Sequence, residues 1–233
     1  MVRAKLRKTR YLVALLLTLC FFTIGILLGN AISNERIRYV QDQSLIQRLN
    51  YESLQTQYMY VGLFEEQKSC PAVEETFKSN IETLEKTRLR LEEYIKNEKF
   101  SEATFSLLKR EYTIAQLRYW LLAKSTKETC DRDLATILYF YSTEDECPNC
   151  HSQEMVLTYL KKKFQDRLLI FSLDANYQEE PMINILKNVY QVKRYPTIVI
   201  DEKVYSGLTT REQVLRAICS LYNEPHEECV AFA

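Results

Sequence analysis

The run YLVALLLTLCFFTIGILL, Tyr11–Leu28, is eighteen residues without a charge. Gly29, Asn30, Ala31 and Ile32 extend it to about 22 residues, enough for a helix rising roughly 1.5 Å per residue to cross a bilayer core. A cleaved signal peptide has a shorter apolar region, about 7–15 residues, although Gly29-Asn30-Ala31 would serve as a small-x-small cleavage site. Length favours an uncleaved anchor over residues 11–32. Five basic residues precede it (Arg3, Lys5, Arg7, Lys8, Arg10) and no acid does. The positive-inside rule therefore keeps residues 1–10 in the cytoplasm and sends residues 33–233 out. Anchored or cleaved, the rest of the chain reaches a compartment where disulfides persist.

The whole chain is neutral, so the basic tail leaves the remainder acidic, with 26 basic against 31 acidic residues. Phosphate binding wants a basic face, and no nucleic-acid partner is expected. Only four Gly and five Pro occur in 233 residues. Such scarcity favours long helices over a loop-rich fold.

From Glu35 to Lys127 the only Gly is Gly62 and the only Pro is Pro71. Ile37, Val40, Leu45, Leu49, Leu54, Val61 and Phe64 recur every three to five residues or so, and residues 33–69 read as a helical stalk. Val73, Phe77, Ile81, Leu84, Leu91 and Ile95 then keep a tighter rhythm, interrupted by Arg88. A turn at Lys96–Ser101 follows, with Ser101 placed to cap the next helix. Phe105, Leu108, Tyr112, Ala115, Tyr119 and Leu122 repeat at 3-4-3-4-3. Two such helices on a short connection pack antiparallel, so residues 70–130 are expected to form a hairpin. Leu117, Trp120 and Leu121 lie beside the seam and are the candidates for a partner-binding face. Cys70 and Cys130 flank the pair at the end where antiparallel helices meet, and a Cys70–Cys130 bridge is expected.

The texture changes near Leu134. Thr136–Tyr141 is an uncharged, aromatic-rich strand. A loop, Ser142–Glu146, leads to Cys147-Pro148-Asn149-Cys150, and His151–Phe164 reads as a helix with Met155, Tyr159, Leu160 and Phe164 on one side. Arg167–Leu173 is a second strand, and Glu179–Val192 a helix with Pro181 allowed in its first turn. Pro196 opens a third strand through Ile200. Asp201-Glu202 turns into a fourth, Lys203–Ser206, and Thr210–Tyr222 closes as a helix capped by Thr209 or Thr210. Strands alternating with helices imply an α/β layer fold over residues 131–233.

This order resembles the thioredoxin superfamily over residues 134–222: a strand, a C-x-x-C at a helix start, a second strand and helix, then aromatic-Pro-Thr leading into a hairpin and a last helix. The resemblance implies a central mixed sheet flanked by helices and a cis Tyr195–Pro196 bond beside the dithiol. It also implies that a substrate strand pairs at Tyr195, with Pro148 and Asn149 between the two thiols in the same contact surface. The expected chemistry is thiol–disulfide exchange. Cys147, at the helix start, is the nucleophile, because unpaired amides and the helix dipole stabilise a thiolate there. Cys150, one turn in and more buried, is the resolving thiol. Two departures stand out. Glu144, Asp145 and Glu146 precede Cys147 where thioredoxins put Trp, and carboxylates there oppose the thiolate. Tyr139 takes the place of the buried strand acid. The direction of the chemistry therefore stays open among oxidase, isomerase and reductase.

Other readings of C-x-x-C-H are haem attachment, a metal site and a purely structural bridge. Zinc wants two more ligands, and His226 is the only other His. Two thiolates alone would suit copper(I), so a copper(I) chaperone stands as an alternative. So does a non-catalytic adaptor whose hairpin binds a partner protein. No cofactor or metal is assigned. A Cys219–Cys229 bridge would pin the acidic tail and leave no odd thiol outside the membrane. The expected partners are cysteine-containing exported proteins, a membrane or soluble redox partner, and the bilayer at residues 11–32.

Overall fold

The computed structural model describes residues 8–62, 70–96, 101–224 and 226–232. Arg3, Lys5, Arg7 and Phe64 lie outside them, as does the expected turn at 97–100. The side chains of Ile37, Val40, Leu54, Val61 and Val73 are also not described. The chain divides into two compact units, Met1–Arg48 and Leu49–Ala233.

The described residues of the first unit are helical. Helix α1, Lys8–Gly62, begins in it and contains one segment, Leu12–Gly29, apolar and long enough to cross a membrane, with a mean hydropathy of 2.6.

The second unit starts inside α1. Leu49, Ser53 and Thr56 recur at helical spacing and are buried, and Met59 packs against the same core. These residues fall in the expected helical stalk, and here they form a buried face. The Ser53 hydroxyl donates to Glu180 Oε1 at 2.8 Å, and Glu52 lies 3.7 Å from Arg118. A polar residue can line a packed face when its hydroxyl finds a buried partner.

Helices α2 (Cys70–Lys96) and α3 (Glu102–Cys130) lie side by side. Arg90 and Glu111 pair at 2.7 Å towards one end, and Cys70 is bonded to Cys130 at the other, with Cα atoms 5.1 Å apart. Phe77 stacks on Tyr119 with ring centres 4.7 Å apart. Ile81 and Ile95 are about half exposed, so α2 buries less of its stripe than its spacing promised. Ser101 does precede α3, but its side chain makes no capping bond; its amide donates to the Tyr94 hydroxyl.

Four strands follow: β1 (Ala135–Tyr141), β2 (Leu168–Asp174), β3 (Thr197–Ile200) and β4 (Lys203–Ser206). They form one mixed sheet in the order β2-β1-β3-β4. β2 runs parallel to β1, while β3 is antiparallel to β1 and β4 to β3. Helices α4 (Cys150–Phe164), α5 (Pro181–Val189) and α6 (Arg211–Cys219) complete the unit. β1 explains itself: Ala135, Ile137 and Tyr139 face one layer, and Leu138 and Phe140 the other. A strand covered on both faces reads as a continuous apolar run.

One layer holds α3 and α5, where Leu117, Trp120, Leu121, Met182 and Ile183 pack on Leu138, Phe140 and Phe171. The other holds α4 and α6, where Leu157, Leu160, Phe164, Val214 and Ile218 pack on Ile137, Ile198 and Ile200. Leu117, Trp120 and Leu121 are at most 1% exposed, so the face proposed above for a partner is spent on the sheet. A helix apolar on several sides is a buried helix. Residues 70–130 and 131–233, separated above by texture, thus share one core.

Three helices differ in detail from their expected extents. The buried stripe of α4 is Gln153, Leu157, Leu160 and Phe164, leaving Met155 and Tyr159 substantially exposed. α5 stops at Val189 because Gln191 turns left-handed at φ 51°. α6 stops at Cys219, which is bonded to Cys229; Thr210 caps it through a reciprocal pair of bonds with Gln213.

Candidate functional site: the Cys147–Cys150 pair

The site lies where β1 ends and α4 begins. After Tyr141 the chain turns through 144–146, and the Cys147 amide donates to Thr143 O at 2.9 Å. Cys150 opens α4, and its amide donates back to Cys147 O at 3.1 Å. Cys147 and Cys150 are joined as a disulfide with Cα atoms 5.3 Å apart. Cys147 thus stands in the turn ahead of the helix rather than in its first turn. It is 2% exposed and Cys150 is half-buried, the reverse of the expected order. Residues 143–146, Pro148 and Asn149 around it are exposed.

The disulfide lines an open cavity of about 600 Å³. Tyr139, Tyr141 and Ser172 come from the sheet, Ser142 and Glu144 from the loop, and Pro148, His151 and Glu154 from the bridge and α4. The Tyr139 and Tyr141 rings stand 5.8 Å apart. The Tyr139 hydroxyl donates to Cys150 O at 2.8 Å, so at this strand position a neutral phenol holds the α4 start. Burial pushes the Tyr139 pKa well above the usual phenol value, and pushes Tyr141 up to about 12.

The three loop carboxylates differ. Glu144 lines the cavity and Asp145 is exposed. Glu146 turns away: Asn176 Nδ2 donates to it at 2.7 Å, and the Ser142 hydroxyl donates to the same oxygen. Those two bonds hold its pKa below the usual carboxylate value. His151 is largely exposed, its Nδ1 3.9 Å from Glu154.

Tyr195–Pro196 is a cis peptide bond. Pro196 is buried and precedes Thr197, which sits opposite Phe140. It therefore lies at the end of β1 from which the cysteine loop departs. Pro196 O accepts from the Gly207 amide at 2.7 Å, closing the β3–β4 end. Tyr195 packs partly on the α5 core, with Lys187 over its ring at 5.8 Å. Neither Tyr195 nor Pro196 is among the residues lining the cavity named above.

No family model matches this chain, and no curated protein does. Eighteen chains of solved structure match it. One, described as the structure of a malarial protein, is 18% identical, covering 38% of this chain and 97% of that one at a TM-score of 0.32. A chloroplastic thioredoxin z is 20% identical, covering 42% and 88%, with a TM-score of 0.33. A redox protein from Chlamydomonas reinhardtii is 12% identical, covering 78% and 71%, with a TM-score of 0.38. Likeness at this level says nothing of what the chain does.

Several residues around the site carried no signal in isolation. Asn176 reaches Glu146 only because β2 delivers it there, its amide held by Asp174 Oδ1 at 2.9 Å. Gln153, fully buried, accepts from the Thr209 amide at 2.7 Å and donates to Thr209 O at 3.3 Å, tying α4 to the approach of α6. A glutamine on the apolar stripe of α4 was the available clue. Among the described residues, no group of three His, Cys, Asp or Glu is placed to hold a metal ion.

Proposed function

We propose that this chain is a membrane-anchored thiol–disulfide oxidoreductase with a thioredoxin-like fold. It works outside the cytoplasm on the cysteines of exported proteins. The observation that carries the reading is the Cys147–Cys150 pair, bonded at the start of α4 and open to a cavity at the sheet end where cis Pro196 also lies. The apolar segment Leu12–Gly29 supports the anchor, and the bonded Cys70–Cys130 and Cys219–Cys229 pairs suit an oxidising compartment.

In the reducing direction, the Cys147 thiolate attacks one sulfur of a substrate disulfide. That S–S bond breaks, a mixed disulfide forms, and the first substrate thiolate leaves. Cys150 then loses its proton and attacks Cys147, releasing the second thiolate. The protein dithiol gives up two electrons and two protons, and the substrate gains them. The oxidising direction is the same path reversed. The roles of the two cysteines follow the family resemblance; the exposures of the oxidised form run the other way. Tyr195 and Pro196 would present backbone to the substrate segment.

The test uses the full chain in detergent. Insulin reduction and scrambled-ribonuclease recovery are compared for wild type, Cys147→Ser and Cys150→Ser. Activity should disappear in Cys147→Ser, while Cys150→Ser should accumulate a mixed disulfide. Trapping in Cys147→Ser instead would exchange the two roles. Equal, negligible turnover in all three would favour a non-catalytic adaptor.

A further inference from the structure

The walls of the dithiol cavity have a chemistry of their own. The acidic groups are two carboxylates, Glu144 in the loop and Glu154 on α4; no Lys or Arg lines the cavity, and its one basic side chain, His151, stands 3.9 Å from Glu154. Asp145 is exposed next to Glu144, and Glu146 is held ionised by its two donors. Nearby cations are engaged elsewhere: Lys109 pairs with Asp174, and Lys187 donates to Ala175 O at 2.8 Å. The sheet wall carries Tyr139 and Tyr141, side by side and kept protonated by burial. Carboxylates repel an anionic approach, and neutral aromatic faces attract cations.

Resting on the oxidoreductase reading above, we propose that this cavity selects cysteine segments flanked by Lys or Arg. Two features favour a positive flank: the carboxylates through charge, and Tyr141, half-buried, through its ring; Tyr139 behind it is only 4% exposed. A volume of about 600 Å³ lies in the range that takes several side chains at once. A flanking cation also offsets the repulsion that the substrate thiolate would otherwise meet. In the oxidised form, that thiolate attacks one sulfur of the Cys147–Cys150 bond, and the other leaves as a thiolate and takes up a proton. A second substrate thiolate then attacks the substrate sulfur of the mixed disulfide. Two substrate thiols lose two electrons and two protons, which the protein pair gains.

The experiment mixes the oxidised full chain, in a neutral detergent, with one of two end-blocked peptides. In one the cysteine has two lysines on each side, in the other two glutamates. Mixed-disulfide formation is followed by quenched-flow mass spectrometry. Each rate is divided by that of the same peptide with oxidised dithiothreitol, which removes intrinsic differences in thiol reactivity. At low salt the normalised rate should favour the lysine peptide by about tenfold, an ordinary size for electrostatic steering. The preference should shrink towards one at about 1 M salt, where screening acts within about 3 Å. It should also shrink in Glu144→Gln/Glu154→Gln and persist in Glu93→Gln, an exposed acid on α2. Equal normalised rates at low salt, or a preference surviving both salt and the double variant, would overturn the assignment and leave the oxidoreductase reading intact. No exchange with either peptide would bring down that reading as well.

Discussion

The two bridges outside the cavity differ sixfold in the chain they enclose, and this sets a ranking. Cys70 and Cys130 are 60 residues apart in sequence, Cys219 and Cys229 only 10. Loop-closure entropy in the unfolded chain then gives about 4.3 kcal/mol for the first bridge and about 2.7 kcal/mol for the second. The perturbation is to replace both members of one pair by Ala, leaving the other pair in place. Packing losses oppose the ranking: Cys229 is 7% exposed, whereas Cys70 and Cys130 are both half-buried. The longer loop should still dominate. Thermal unfolding of the full chain in detergent, followed by circular dichroism, should show Tm falling on the order of 10 °C without the first bridge and about 6 °C without the second. Equal losses, or a larger one for Cys219/Cys229, would mean that local packing rather than chain closure governs these bonds.

Two further outcomes follow from the core. Trp120→Ala removes a ring that is 1% exposed between α3 and the sheet, and should cost about 3–5 kcal/mol in denaturant unfolding; a loss under about 1 kcal/mol would remove Trp120 from the core. Burial raises the phenol pKa of Tyr119, Tyr141 and Tyr177 to about 12 and those of Tyr139 and Tyr222 further. Folded values above the unfolded value of about 10 mean that the stability is intact below pH 10 and is lost as pH rises towards 12 and beyond. Tyrosinate absorbance should therefore rise together with the loss of ellipticity in that window; early ionisation with the fold intact would contradict the burial.

What could be read from the sequence was whatever a single segment decides. β1 advertised itself because both its faces are covered. The two-residue Asp201–Glu202 turn was visible as a polar break, and Asp201 takes the left-handed φ of 57° that a short polar side chain tolerates. What could not be read depends on partners distant in sequence. Trp120 looked like a spare surface because its cover, Phe140 and Met182, comes from elements folded later in the chain. Leu49 was visible on the apolar face of the stalk, but Ser53 and Thr56 beside it are polar and gave no sign of burial. Their burial makes sense only once Glu180 is set opposite Ser53.

The same division runs through the site. C-x-x-C after a strand is local, but the anchoring of its loop is only partly so. The loop that carries Cys147 is closed locally at Thr143, and Asn176, from beyond β2, bonds to Ser142 and Glu146 in it. Counting three carboxylates ahead of Cys147 treated them as one field acting on the thiolate. The structure sorts them: Glu146 is committed to Asn176 and Ser142, while Glu144 lines the cavity that the disulfide also lines. Glu154, ten residues after Glu144, joins it only because α4 starts at Cys150 and brings its first turns back over the sheet. Acidity that looked like a handicap for the thiol thus stands on the wall that the disulfide shares. On the reading proposed above, that position would discriminate among substrates whichever way the electrons run.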